Sequence, residues 1–320
     1  WGRNQLYIHR VTPDGPSFQQ KEEEFIKLAQ ITDLDIDASG RVYLSAWDGA
    51  GYSGNPGKGF VVRAVPKNWT YKKFADVNKA SVKELAAMLK SESAVARLAA
   101  QQELIARNVK DAAKEVWSIA SNKSNPLYAR VAGIFTYTQL AGANGNENLV
   151  KLTADNDVRE FALRALADRK TGLKNVPVEP FLKGLNDPSG RVRIAATVGL
   201  GRLGRAEAAK ELLKVKVPAS FVAPALGTEG PHATPNSAII PAHIAVRSLV
   251  SLNAVDACVS AINTENATIA LWALRYMHDP KAVNGLISAY KQSKDEKLKS
   301  QILVTLSRLY KKEADYDGSW

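Results

Sequence analysis

One spacing recurs along most of this chain: a basic or polar residue, a small or apolar residue three positions on, and another four beyond that. It reads Arg97/Ala100/Leu104, Arg130/Gly133/Tyr137, Arg159/Ala162/Leu166, Arg193/Ala196/Leu200 and His243/Val246/Val250, with weaker copies at Ala267/Ala270/Leu274 and Lys299/Ile302/Leu306. Steps of three and four place side chains on one face of a helix. Between copies lie shorter amphipathic segments, VKELAAMLK (82–90), NLVKLTAD (148–155), VEPFLKGL (178–185), AVDACVSAI (254–262) and AVNGLISAYKQS (282–293). Each unit is therefore a helix pair. First members advance by 33, 29, 34, 50, 24 and 32 residues. A single pair of this length cannot bury its own apolar face, so the pattern predicts stacked pairs forming an α-solenoid over 71–312.

The clearest copy is NDPSGRVRIAATVGLGRLG (186–204). Asp187 is expected to cap a helix whose first turn takes Pro188, and Gly204 to end it. Val192, Ala195, Ala196, Val198, Gly199 and Leu203 supply the apolar face. The Asp-Pro start, Val-Arg pair and Leu-Gly ending resemble the HEAT-repeat family, over about 78–312. The step of 50 marks 214–242, where prolines and glycines break the helical period and predict a loop insertion, either a docking element or a plain insertion.

Residues 1–70 have another grammar. QLYIHRV (5–11), FIKLAQI (25–31), ITDLDID (31–37), RVYLSAW (41–47) and FVVRAVP (60–66) read as short strands separated by TPDGPS, DASG and a glycine-rich stretch. Asp37 to Gly40 fits a tight hairpin turn with Gly40 at positive φ. Alone, these strands make a small antiparallel sheet with open edges.

The run DLDIDASGRVYLSAWDG, followed by GKGFVVRAVPK, resembles the last blade of six-bladed propellers of the glucose/sorbosone dehydrogenase kind. Its continuation through RAVPKNW into the helical array resembles the membrane-bound dehydrogenases of the Planctomycetes–Verrucomicrobia–Chlamydiae group and similar Bacteroidetes proteins. That resemblance covers nearly the whole chain, with 313–320 as a tail or linker. It implies a middle portion of a larger exported protein in which a propeller, HEAT repeats and a c-type cytochrome follow one another. The implied location is periplasmic or extracytoplasmic. The implied cofactors of the parent are pyrroloquinoline quinone and haem c, with none expected in this portion. Its partners would be other domains of the parent or other proteins.

Haem attachment needs Cys-x-x-Cys-His, and the one cysteine, Cys258, sits among apolar residues of a helix as a small buried hydrophobe. His9, His232, His243 and His278 lack metal-ligand spacing. Asp33, Asp35 and Asp37 alternate on a strand, which suits edge carboxylates and turn caps better than a calcium loop. Trp117 and Trp272 read as core anchors, and Trp47 and Trp69 as seals between sheet and helices. If the propeller resemblance holds, Asp48, Tyr52, Lys58 and Arg63 would line a pocket rim. No catalytic residue and no metal site is expected.

Two functional classes remain open beside a scaffold. The net charge of +11, from 43 Lys+Arg against 32 Asp+Glu, admits an anionic partner. Arg97, Arg130, Arg159 and Arg193 share one repeat phase and would make an interaction ladder for an anion or nucleic acid if they faced outward together. The alternative is that each pairs with a helix-start carboxylate of a neighbouring repeat. Basic residues are spread along the chain, so nucleic acid is not the expected partner. The other class is a quinone-dependent sugar or alcohol dehydrogenase whose active site lies in blades outside this sequence. No apolar run reaches the roughly 20 residues of a membrane-spanning helix.

Overall fold

A computed structural model describes residues 4–49, 57–109, 111–218, 238–312, 314 and 317–318. Among them are strands β1 (Gln5–Asp14), β2 (Ser17–Lys27), β3 (Ile31–Ile36), β4 (Val42–Trp47) and β5 (Gly59–Ala64). Helices follow: α1 (Val82–Met88), α2 (Ala94–Arg107), α3 (Ala112–Ser121), α4 (Leu127–Ala141), α5 (Asn146–Leu152), α6 (Arg159–Leu166), α7 (Glu179–Gly184) and α8 (Gly190–Leu203). The series ends with α9 (Ala209–Leu212), α10 (Ile240–Ser251), α11 (Val255–Ser260), α12 (Ala267–Leu274), α13 (Pro280–Gln292) and α14 (Glu296–Leu309). Strands give way to helices between Ala64 and Val82, close to the expected change at 70. The compact units divide elsewhere, within α6: one holds Trp1–Thr12 and Gln19–Phe161, the other Pro13–Phe18 and Ala162–Trp320.

In the first unit α1 packs on α2 and α3, and α4 on α2 and α3, so first helices adjoin first helices and second adjoin second. The contact between α3 and α4 is close because Gly133 leaves no side chain. A Cβ there would lie 2.9 Å from the Ala120 amide nitrogen. Tyr137 fills the next turn and meets Trp117 with ring centroids 4.9 Å apart. Ser81 and Glu84 cap α1 reciprocally, each accepting from the other's backbone N–H.

The second unit repeats the scheme. Its second helices α8, α10, α12 and α14 pack in series, α7 sits on α8, and α11 adjoins both α12 and α13. These contacts make the chain a helical repeat with alternating layers. The phase read from the sequence is the buried one: Ala100, Gly133, Ala162, Ala196, Val246, Ala270 and Ile302 are all buried. Of the face expected on α8, Val198 is 37% exposed and Leu203 half-buried. That helix also begins later than expected, at Gly190 after N-cap Ser189. Asp187 accepts the Ser189 N–H at 2.8 Å and so holds a turn ahead of the helix instead of capping it. Gly204 ends it at φ 68°. The ribbon turn at 13–18 lies against the same helix start, with the Arg191 guanidinium 4.2 Å over the Phe18 ring.

The β-rich opening is two sheets. β1 and β2 form a two-stranded ribbon, and β3–β4–β5 an antiparallel sheet in that order. The strands of the ribbon run further than apolar alternation suggested, through TPD and QQKEEE, because both faces of these stretches are largely exposed and polar side chains suffice. In the three-stranded sheet Leu34 pairs with Leu44, which pairs with Val62, and Ile36 pairs with Val42, which pairs with Ala64. This is its apolar face, centred on Leu44 at 0% exposure.

Candidate functional site

Three places bring reactive groups together: the helix-pair turns, the three-stranded sheet with the segment after it, and open clefts of the second unit.

At the turns, three of the four repeat-phase arginines make the same contact. Arg97 Nη1 donates to the Ser91 and Glu92 carbonyls at 2.7 and 3.0 Å. Arg159 Nε donates to the Thr153 carbonyl at 2.6 Å, and its Nη2 reaches that of Ala154 at 3.4 Å. Arg193 Nη1 donates to the Asp187 and Pro188 carbonyls at 2.7 and 3.0 Å. In every case the partners lie six and five residues upstream, in the turn that leads into the second helix of the pair. A planar, multi-donor guanidinium suits two adjacent carbonyls. Arg130 differs. It is 1% exposed, donates through Nε to the Ala120 carbonyl at 3.0 Å, and pairs through Nη2 with Asp155 at 2.8 Å. This is the helix-start carboxylate pairing expected as the alternative to a ladder. Burial removes Arg130 from any outward row of charge. Burial works against the Asp155 carboxylate, yet the Arg130 bond and the Asp157 N–H outweigh it and hold the carboxyl below its ordinary range.

Two further arginines do related work that the sequence reading missed. Arg107, in the last turn of α2, donates to the carbonyls of Val77, Asn78 and Ala80, and Arg202, in the last turn of α8, to those of Ala167 and Asp168 at 2.9 and 3.1 Å. Each follows a turn-binding arginine by nine or ten residues, the spacing that could have revealed them.

In the sheet, the Asp37 to Gly40 turn forms as expected, with Gly40 at φ 93°. Asp37 accepts from the Ser39 hydroxyl at 2.6 Å, from the Ser39 and Arg41 amides, and from Arg41 Nε at 2.7 Å. The Ser39 hydroxyl bond leads the causes that push its carboxyl far below the usual range, over an opposing cost of desolvation. Arg41 lies 4.5 Å over the Tyr71 ring and 5.7 Å from the Trp69 centroid, so Trp69 seals the turn against the following segment. Three of the four rim candidates fall among the described residues. Asp48 and Lys58 are exposed and joined by a backbone bond of 3.1 Å that closes the β4–β5 hairpin. Arg63 is exposed on β5 opposite Tyr43, and Tyr52 lies outside the described residues.

A cleft of about 420 Å³ in the second unit is lined by Lys214 to Val217 and by Glu265, Asn266, Thr268 and Ile269. It borders the insertion expected at 214–242, of which 219–237, with His232, lie outside the described residues. Two smaller clefts share His278, Asp279 and Lys312, but Asp279 there accepts the Lys281 N–H as the cap of α13. Cys258 is fully buried and its thiol is pushed up to about 12 by desolvation. Exposed His243 lies 6.1 Å from Trp272, ring to ring. Among the described residues no group of three or more His, Cys, Asp or Glu could hold a metal ion, and no helix is long and apolar enough to cross a membrane.

No family model matches the chain, and no curated protein matches it. Solved structures similar to it include two engineered proteins, each 18% identical. One has a TM-score of 0.39 over 73% of this chain and 69% of its own, the other 0.34 over 71% and 96%. A third is the complex of CpcE and CpcF of phycocyanin lyase from Nostoc sp. PCC7120, 19% identical with a TM-score of 0.27 over 75% of this chain and 82% of that one. Likeness this slight says nothing of function.

Proposed function

We propose that this chain is a protein-interaction scaffold without catalysis of its own, set within a larger exported protein that joins a propeller dehydrogenase to a c-type cytochrome. One observation carries the scaffold reading: the arginines that recur in phase are bound to turn carbonyls and to Asp155, while apolar surface stays open at Leu34 and Ile36 on β3 and at Leu303 and Val304 on α14. The recurring charge maintains the fold, and the uncovered apolar positions are available to partners. The parent dehydrogenase rests on the sequence resemblance alone. Pyrroloquinoline quinone and haem c would belong to its other modules, because the residues here do not fit either group. Asp48, Lys58 and Arg63 are spread over an exposed hairpin, and buried Cys258 has no second cysteine beside it.

Two measurements test this. Sequencing the gene on both sides should reveal propeller blades upstream and a Cys-x-x-Cys-His module downstream, and unrelated flanks would remove the parent. Titrating the chain with pyrroloquinoline quinone and calcium, with dye reduction in the presence of sugars and alcohols, should give neither stoichiometric binding nor turnover. Turnover by this chain would end the scaffold reading.

A further inference from the structure

Among the described residues the strand β3 is an edge: it pairs with β4 on one side, and the sheet ends there. The Asp37 N–H donates to the Arg41 carbonyl across the hairpin, so in the alternation of an antiparallel strand the amides of Asp33 and Asp35 also face β4. Those of Leu34 and Ile36 then face the open side. Their donors are held by the side chains just before them, Leu34 N–H by Asp33 Oδ1 and Ile36 N–H by Asp35 Oδ1, both at 2.8 Å. These are local, exposed bonds that a neighbouring strand's carbonyls would replace one for one. The register is regular over 33–36, its single irregularity lying between Ile31 and Asp33. The stretch carries neither the proline nor the lysine that commonly blunts an edge.

The apolar face of the sheet also runs out at this strand. It passes from buried Leu44 to Leu34 and Ile36, which remain 42% and 41% exposed. On the other face Asp33 and Asp35 are exposed, and neither has an ion-pair partner among the described residues. A strand laid beside β3 would therefore continue the apolar layer with every second side chain and meet carboxylates with those between. A second copy of β3 is a poor occupant, since it would bring like charges together.

We propose that the β3 edge is a docking site for an extended segment of a partner protein that alternates apolar and basic residues, added as a fourth strand. This rests on reading the chain as an interaction module and not on the parent dehydrogenase. Its failure leaves the other uncovered surface, on α14, and both tests of that reading intact.

The test uses the whole 15N-labelled chain and the peptide acetyl-Val-Lys-Val-Lys-Val-Lys-amide, beside a Val-Glu analogue and a Val-Lys analogue with proline at the third position. The Val-Lys peptide should shift the Leu34 and Ile36 amides saturably and slow their hydrogen exchange. The proline analogue should do neither. Loss of two exposed charge pairs implies about fivefold weaker binding of the Val-Lys peptide on Asp33→Asn/Asp35→Asn, whose amide oxygens can still accept the edge N–H bonds, and the Val-Glu peptide, whose charges repel Asp33 and Asp35, should bind the unaltered chain weaker still. Equal binding of both charge types, or no response at Leu34 and Ile36, would overturn the proposal. So would self-association of the double variant without peptide binding, which would make the two carboxylates a guard against edge pairing.

Discussion

Replacing Asp155 by alanine perturbs Arg130, an arginine whose charge is enclosed. Arg130 and Asp155 are 2.8 Å apart with side chains 2% and 10% exposed, so the variant leaves a guanidinium inside the first unit with the Ala120 carbonyl as its remaining acceptor. Breaking a buried pair from one side costs about 3–5 kcal/mol, chiefly the penalty of the stranded charge. In a folding unit of 150–250 residues each kcal/mol lowers the melting point by about 2–4 °C, so a fall of roughly 6–20 °C is expected. The double variant Arg130→Met/Asp155→Ala removes the stranded charge and should recover at least half of that loss. Thermal melts by circular dichroism, repeated at two scan rates, measure both. An Asp155→Ala variant that melts within 1 °C of the wild-type chain, or a double variant less stable than the single, would refute a stranded-charge penalty at Arg130. Lys123, 3.8 Å from the same carboxylate but 77% exposed, can hydrate freely, and Lys123→Ala should change the melting point little.

The same pair carries a pH dependence. Because Asp155 is held below its ordinary value in the folded chain, its stabilisation is present above about pH 4, the unfolded carboxyl range, and is lost as pH falls through the lower folded value. The stability gap between wild type and Asp155→Asn should therefore narrow below about pH 4 in urea titrations, and a widening gap would contradict the sign. Gly199→Ala would set a Cβ 2.2 Å from the buried Phe181 ring, and the repacking should cost about 1–3 kcal/mol, read from urea midpoints of the second unit's transition. Arg193→Lys keeps the charge but not the fork that meets the Asp187 and Pro188 carbonyls, and should lose about 1 kcal/mol. Equal stability of Lys and Arg would show that charge alone suffices. Cys258, buried and with its thiol pushed up to about 12, should react with a disulfide reagent at pH 8 at least about a hundredfold slower in the folded chain than in urea.

How much was legible follows from what each signal encodes. The three-and-four spacing reports which side chains face inward, and the buried series Ala100, Gly133, Ala162 and Ala196 matches it because small residues there let helices approach. Helix α3 was absent from the short segments drawn from the sequence, although Ala112, Val116, Ile119 and Ala120 give it an apolar face. Its partner α4 carries the triplet, and attention to the triplet hides the helix before it. The hairpin at Asp37 to Gly40 was legible through turn chemistry, which is local. The length of β1 and β2 was not, because QQKEEE pairs along a ribbon without apolar alternation to betray it. The division of five strands into two sheets depends on which strands meet, and spacing along the chain does not encode that.

The arginines show why the charge pattern misleads about partners. In sequence, Arg97, Arg130, Arg159 and Arg193 are equivalent, and equivalence suggests a surface that repeats. In space, three of them bind carbonyls of the turn that joins the two helices of a pair, and the fourth is enclosed with Asp155. Carbonyls of a turn that have no backbone donor need a side-chain one, so a donor recurring at one phase follows from the repeat geometry. Periodic charge in a helical repeat is thus explained by the repeat before any ligand is invoked. Positions outside the period carry the information about partners. Asp33 and Asp35 are such positions: they satisfy no helix, they hold amides that a sheet would otherwise pair, and they lie beside apolar side chains that nothing in the first unit's sheet covers.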